Sequence, residues 1–237
     1  AVVNLGTMGA SGTMGDITVT GAGAFSMTAG AVLSVGTVST AGVTSGTQTI
    51  TLNASTLIGT TMTGGAGVDV FTGTGGADTI STGAAGDTIT GGLGIDTITG
   101  GAGADTFVFD TVVLAANANN ITDFDQSDTD VLQFDATTFA VTAAGAAALE
   151  TVASVGTAGV IDDLDIIVDT AANITGADLS AEYTAGTAAG MAIAIASDTG
   201  NIYADADGDF SVGAIIIGSI TAAEAAALAA GNFSFVA

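Results

Sequence analysis

The residues able to do chemistry in this chain are almost all aspartates. Lys, Arg, His and Cys are absent, and the 24 acidic residues are 21 Asp and 3 Glu. Five of them, Asp69, Asp78, Asp87, Asp96 and Asp105, recur every nine residues. Two residues after each stands a large apolar residue, Phe71, Ile80, Ile89, Ile98 and Phe107, and glycines crowd the positions before it. Carboxylates in such a series repel one another unless a cation lies between them, and calcium accepts about six to eight oxygens from carboxylates and backbone carbonyls. A flexible Gly/Asp/Thr linker would need neither the apolar residue nor its fixed phase against Asp.

The elements that must position these carboxylates follow from the same spacing. Residues 64 to 108 divide into five blocks of nine, GGAGVDVFT, GTGGADTIS, TGAAGDTIT, GGLGIDTIT and GGAGADTFV. The glycines suit a six-residue turn with positive φ and close backbone approach. The three residues after each Asp suit a short strand whose middle side chain points inward. The pattern matches the nonapeptide GGxGxDxUx, and the stretch resembles the RTX (repeats-in-toxin) calcium-binding β-roll family. That resemblance implies that two blocks make one turn, so Asp69 stacks on Asp87, Asp87 on Asp105, and Asp78 on Asp96. It also implies that turn carbonyls share in binding calcium, which brings in Gly65, Gly67, Gly76, Gly92, Gly94, Gly101 and Gly103. Block 73–81 has Thr74 where a glycine is usual, and block 82–90 begins Thr82-Gly83-Ala84-Ala85.

After the repeats, Thr106 to Asp110 reads as a longer strand, and Asn120-Ile121-Thr122-Asp123-Phe124-Asp125 leads to Asp130-Val131-Leu132-Gln133-Phe134. This is similar to the closing segment of RTX proteins, which implies a terminal calcium site at Asp123 and Asp130, with Asp125 and Asp128 solvated. An acidic surface turn between two strands is the alternative. Residues 142 to 155 form an Ala-rich candidate helix, and 160 to 168 a strand-like run whose acids read as a flanking turn. Three further strand candidates cover 191–196, 200–204 and 212–220. The segment Thr199-Gly200-Asn201-Ile202-Tyr203-Ala204-Asp205-Ala206-Asp207-Gly208 resembles a hairpin of the same family. It favours a turn over a metal site, and calcium at Asp205, Asp207 and Asp209 is the alternative. Thr221-Ala222-Ala223-Glu224 is a capping box opening a helix over AAEAAALAA that Gly231 ends. The base-free apolar tail 232–237 looks like the C-terminal end of proteins exported by type I secretion.

Residues 1 to 63 are rich in Thr, Gly, Ala, Ser and Val, with no charge between Asp16 and Asp69. Alternating stretches such as 16–20 and 48–53 predict short strands in solenoid coils that lack calcium and run on into the roll. An unattached β-sandwich-like module is the alternative. A long charge-free β surface invites pairing between molecules, so a neighbouring subunit is expected against it.

Composition removes whole classes of function. A formal charge of −24 with no basic side chain excludes nucleic acid and attraction to an anionic membrane. No run of 18 strongly apolar residues predicts a membrane-spanning helix. No basic n-region followed by an apolar stretch begins at Ala1, so no Sec-type signal is expected there, and a start without Met suits a processed end or a fragment. Without His, Cys, Lys or Arg the usual general base, thiol nucleophile and cationic clamps are missing, and an enzyme is not expected. With no Trp and two Tyr, paired carboxylates also lack the aromatic platforms of a glycosidase.

The expectation is therefore an all-β dominated chain in three parts. Residues 1–63 form a Thr/Gly-rich solenoid-like region, 64–135 the calcium β-roll and its closing strands, and 136–237 a β-rich region with one or two short helices. By resemblance to RTX-type bacterial S-layer proteins, it is a secreted, cell-surface, calcium-dependent self-assembling subunit forming a lattice or fibre. Its partners would be copies of itself and a cell-surface polysaccharide. The alternative is the C-terminal module of a larger secreted adhesin.

Overall fold

The computed structural model describes residues 3–8, 12–29, 33–52, 58–111, 115–135, 137–139, 166–169, 192–205 and 214–236. By its internal contacts the chain divides into two units, residues 1–111 with 119–132, and residues 112–118 with 133–237.

The first unit is a parallel β-solenoid of about five turns, and its coil length follows the sequence period. One sheet stacks Val3–Met8, Phe25–Ala29, Gln48–Thr51, Asp69–Thr72, Thr88–Thr90 and Thr106–Phe109. The other stacks Ile17–Gly21, Thr37–Val43, Thr61–Thr63, Thr79–Ala84, Thr97–Ala102 and Asn119–Ile121. Gly12–Met14 and Leu33–Val35 form a small parallel pair. Inside the repeats Ile80 lies opposite Ile98 and Phe71 opposite Ile89, eighteen residues apart, so two nonapeptides make one coil. Outside them the coil lengthens, as in Ile50 opposite Phe71 and Val38 opposite Met62. Strands on either side of Gly64 share both sheets.

Period-two alternation within each three- to seven-residue strand turns alternate side chains inward, where they stack from coil to coil. Met27, Ile50, Phe71, Ile89 and Phe107 stack from one sheet, and Val38, Met62, Ile80, Ile98 and Ile121 from the other. All are buried. Each contributes about 1.5–3 kcal/mol of transfer free energy, which is what holds such short strands in register. Phe124 closes on Phe107, with ring centroids 6.0 Å apart.

In the second unit Ile166–Asp169 runs parallel to Ala192–Ala196, which is antiparallel to Asn201–Asp205, itself antiparallel to Ile215–Ser219. A turn at Thr199-Gly200 joins Ala192–Ala196 to Asn201–Asp205, and the turn expected after Asp205 lies outside the described residues. Gly200 has φ +78° and donates its N–H to Ala196 O at 2.7 Å. Phe233–Val236 adjoins the end of Val131–Asp135, where Gln133 Nε2 donates to Ser234 Oγ at 3.1 Å. The helix after Thr221 is shorter than expected. Thr221 Oγ1 accepts from Glu224 N at 3.3 Å, yet the helix covers only Ala222–Ala225 before a turn and a 3-10 segment, Ala230–Asn232. Only Ala225 of it is buried, and an alanine run with so little to bury cannot carry further turns in water. The candidate helix 142–155 lies outside the described residues.

Candidate metal centre

The turns between strands carry the aspartates, and the solenoid stacks them into two ladders. Asp69, Asp87, Asp105 and Asp130 form one, and Asp78 and Asp96 the other; all six are buried. Each ladder is threaded by a backbone bond that periodicity alone does not reveal. The N–H of each aspartate donates to the carboxylate one coil later: Asp69 to Asp87 Oδ1 at 2.7 Å, Asp87 to Asp105 Oδ1 at 2.8 Å and Asp105 to Asp130 Oδ1 at 2.9 Å. On the second ladder Asp78 N–H donates to Asp96 Oδ1 at 2.8 Å. The first ladder has an uncharged residue at its start and the second has one at each end. The first begins at Gln48, opposite Asp69, and the second runs from Thr60 to Asn119, whose Oδ1 accepts from Asp96 N at 3.4 Å.

Four of the six carboxylates keep one oxygen unheld, and that oxygen is where the chemistry lies. Asp69 Oδ1, Asp87 Oδ2, Asp96 Oδ2 and Asp105 Oδ2 are buried with no hydrogen-bond partner. A buried, unpaired carboxylate oxygen is costly, and the chain has no basic side chain to pair with it. Burial accordingly pushes Asp96 and Asp105 up to about 7 and Asp69 and Asp130 up to about 6. Asp78 and Asp87 move up for the same reason. For Asp105 the charges of Asp130, Asp87 and Asp123 add to the rise.

This donor set fits calcium. Hard oxygens, negative charge and no imidazole or thiolate suit a hard divalent cation. No group of three or more Asp, Glu, His or Cys side chains converges among the described residues, so carboxylates alone make no cage. The balance of six to eight oxygens would fall to backbone carbonyls, which crowd these turns. A Cβ on Gly65 would meet Val43 O at 2.5 Å, on Gly67 Gly46 O at 2.3 Å, on Gly92 Thr74 O at 2.2 Å, and on Gly101 Gly83 O at 1.8 Å. Gly94 and Gly103 meet the backbone of Gly76 and Ala85 in the same way. Gly92, Gly94, Gly101 and Gly103 take φ between +95° and +127°. Gly65 and Gly67 do not, so at these two positions close approach, rather than the expected positive φ, requires glycine. Gly76 donates its N–H to Thr74 Oγ1 at 3.1 Å.

The spacing of Asp against the apolar position pointed to the aspartates but not to the first glycine of each block. A Cβ on Gly64, Gly73, Gly91 or Gly100 would stand 2.2–2.5 Å from Oδ2 of Asp69, Asp78, Asp96 or Asp105 respectively. That recurrence at nine was the available signal. The remaining candidates divide. Asp130 joins the first ladder, its Oδ2 also accepting from Asp125 N at 2.8 Å. Asp123 is half-buried, and both its oxygens are occupied by the last repeat turn, accepting from Gly100 N at 2.9 Å and Gly101 N at 2.8 Å. Asp125 is held below the usual carboxylate range by the Ser127 hydroxyl and N–H, and Asp128 is exposed. Asp205 is buried in the strand Asn201–Asp205, while Asp207 and Asp209 lie outside the described residues.

Comparison with known proteins agrees with this geometry. Residues 63–97 and 81–111 match the family model of the RTX calcium-binding nonapeptide repeat. No curated protein matches the chain. Among solved structures, one similar to it is the AlgE6R3 subunit of the Azotobacter vinelandii mannuronan C5-epimerase, at 20% identity and a TM-score of 0.31, covering 94% of this chain and 80% of that one. With nine-residue blocks, paired into eighteen-residue coils, carrying their aspartates at one fixed place, residues 63–111 are RTX calcium-binding repeats.

Proposed function

We propose that this is a secreted calcium-binding structural protein that assembles with its own copies into an extracellular layer or fibre. The observation that carries the calcium dependence is the set of buried, partnerless carboxylate oxygens in a chain without a single basic side chain. At low calcium these carboxylates oppose the fold. At the millimolar calcium of the extracellular medium, sites with dissociation constants of about 10⁻⁴ to 10⁻³ M fill, and binding energy becomes folding energy.

Support for assembly comes from the opposite end of the solenoid. Val3–Met8 and Ile17–Gly21 each have a sheet neighbour on one side only among the described residues. No charged side chain lies between Asp16 and Asp69 to discourage a second strand from adding there. The absence of His, Cys, Lys and Arg, which supply the usual neutral-pH base, thiol nucleophile and cationic clamps, favours a structural role over catalysis.

Negative-stain electron microscopy of the purified chain in about 5–10 mM calcium, beside an aliquot in excess chelator, tests this reading. Ordered sheets or fibres that dissolve on chelation are the expected result. Dispersed monomers in both would end the assembly reading and favour a module of a larger adhesin.

A further inference from the structure

The repeat turns are not equivalent: block 82–90 departs from the motif at Thr82 and Ala85, and block 73–81 at Thr74. The second position of the five blocks is Gly65, Thr74, Gly83, Gly92 and Gly101. Thr74 is buried, and its hydroxyl lies 3.0 and 3.1 Å from the two oxygens of Asp78. Its N–H donates to Asp78 Oδ2 at 2.5 Å, and Thr60 N–H donates to Asp78 Oδ1 at 2.5 Å from the coil before. Asp78 is the one repeat aspartate absent from the set with a partnerless buried oxygen. Its neighbour on the same ladder, Asp96, follows Gly92 and does have such an oxygen. The position is also a ladder end. Beyond Asp78 the next rung is Thr60, so no second carboxylate stands on that side to share an ion.

We propose that Thr74 replaces a calcium ion at this turn, so that Asp78 is a metal-free rung closing the second ladder while the other repeat aspartates bind calcium. This rests on the calcium reading of the repeats. Where each of the other repeat carboxylates has a buried oxygen with no hydrogen-bond partner, Asp78 has a hydroxyl and two backbone donors, which satisfy it without the multiple oxygens a calcium ion requires. The disagreement between the motif and the geometry at block 73–81 is then functional. It fixes one turn of the roll independently of calcium and leaves a point from which the calcium-bound coils can stack.

Equilibrium dialysis of the full chain against radioactive calcium, at concentrations saturating the wild type, decides it. Thr74→Gly restores the motif and is expected to bind one more calcium per chain than the wild type. Thr74→Ser keeps the hydroxyl and is expected to bind the wild-type number. Circular dichroism in the same buffer checks the fold, and Thr74→Ala, with the same expected gain, serves if the glycine variant departs from the wild-type spectrum. Equal stoichiometry in all variants, or a gain in Thr74→Ser as well, overturns the proposal. A wild type that binds no calcium at all would instead overturn the calcium reading beneath it.

Discussion

At the scale of residues, the cost of each departure from the repeat can be read from the backbone. Ala85 sits at φ +85°, where Gly94 and Gly103 stand one and two blocks later. A left-handed alanine costs about 1–2 kcal/mol, and the extra freedom of an unfolded glycine returns part of that. Ala85→Gly should therefore stabilise the calcium-loaded roll by about 1 kcal/mol in denaturant titration. The ladder carboxylates also make a pH prediction with a definite sign. Asp96 and Asp105 near 7, and Asp69 and Asp130 near 6, hold protons more tightly in the metal-free fold than an unfolded aspartate does at its ordinary 3.8. Their protonated forms therefore favour the metal-free fold fully below about pH 4, and that contribution is lost as pH rises through 6 to 7. In chelator, more β structure should remain at pH 5 than at pH 8 by circular dichroism, whereas in saturating calcium melting at pH 8 should exceed melting at pH 5 because protons compete with the ion. Equal β content at both pH values in chelator would contradict the burial of these groups. The aspartates and inward apolar residues were legible because their phase is fixed in the sequence. The hydrogen bonds from each Asp N–H to the next coil exist only across the stack, between residues that are not local neighbours in the sequence, whereas the contact of Gly64, Gly73, Gly91 and Gly100 with a carboxylate oxygen lies within one block and shows only once the turn is folded.

At the scale of elements, packing rather than propensity decides what forms. The strands within the roll are as short as three residues, yet each buries a side chain against coils on both sides. Ile98→Ala, in the middle of its stack, should cost about 2–5 kcal/mol in calcium. Thr221→Ala, which removes a cap from a helix with one buried residue, should cost at most about 1 kcal/mol. Denaturant midpoints of the two variants would show the contrast, and comparable losses would mean that the helix is more than an edge feature. The same imbalance explains what was misread. AAEAAALAA has excellent helix propensity and a true N-cap, but the sequence does not show how little of its surface finds a partner. In residues 1–63 the small-residue alternation announced strands. The coil lengths there vary with the loops between them, so their register could not be read as it was from the nonapeptides.

At the scale of the whole molecule, a charge of −24 with no counter-charge in the chain makes folding a property of the medium. At about 10 mM calcium, each occupied site contributes about 1.4–2.7 kcal/mol if its dissociation constant is about 10⁻³ to 10⁻⁴ M. Circular dichroism should show β structure gained cooperatively with calcium and lost in chelator. Proteolysis gives an independent reading. Trypsin has no Lys or Arg to cut in either state, whereas chymotrypsin, with ten Phe available, should degrade the chain in chelator and spare it in calcium. Fragments in calcium at chelator rates would sink the folding switch. The ladder of amides has one further consequence, which is directional. Every donor from Asp69 to Asp105 finds its acceptor in a later coil, and Asp130 is steadied by Asp125 within its own turn. Each coil's aspartate N–H is therefore satisfied by the coil after it, and truncation is not symmetrical. A fragment that stops at 108 leaves Asp105 N–H without its acceptor, while one that starts at 64 keeps every rung between aspartates.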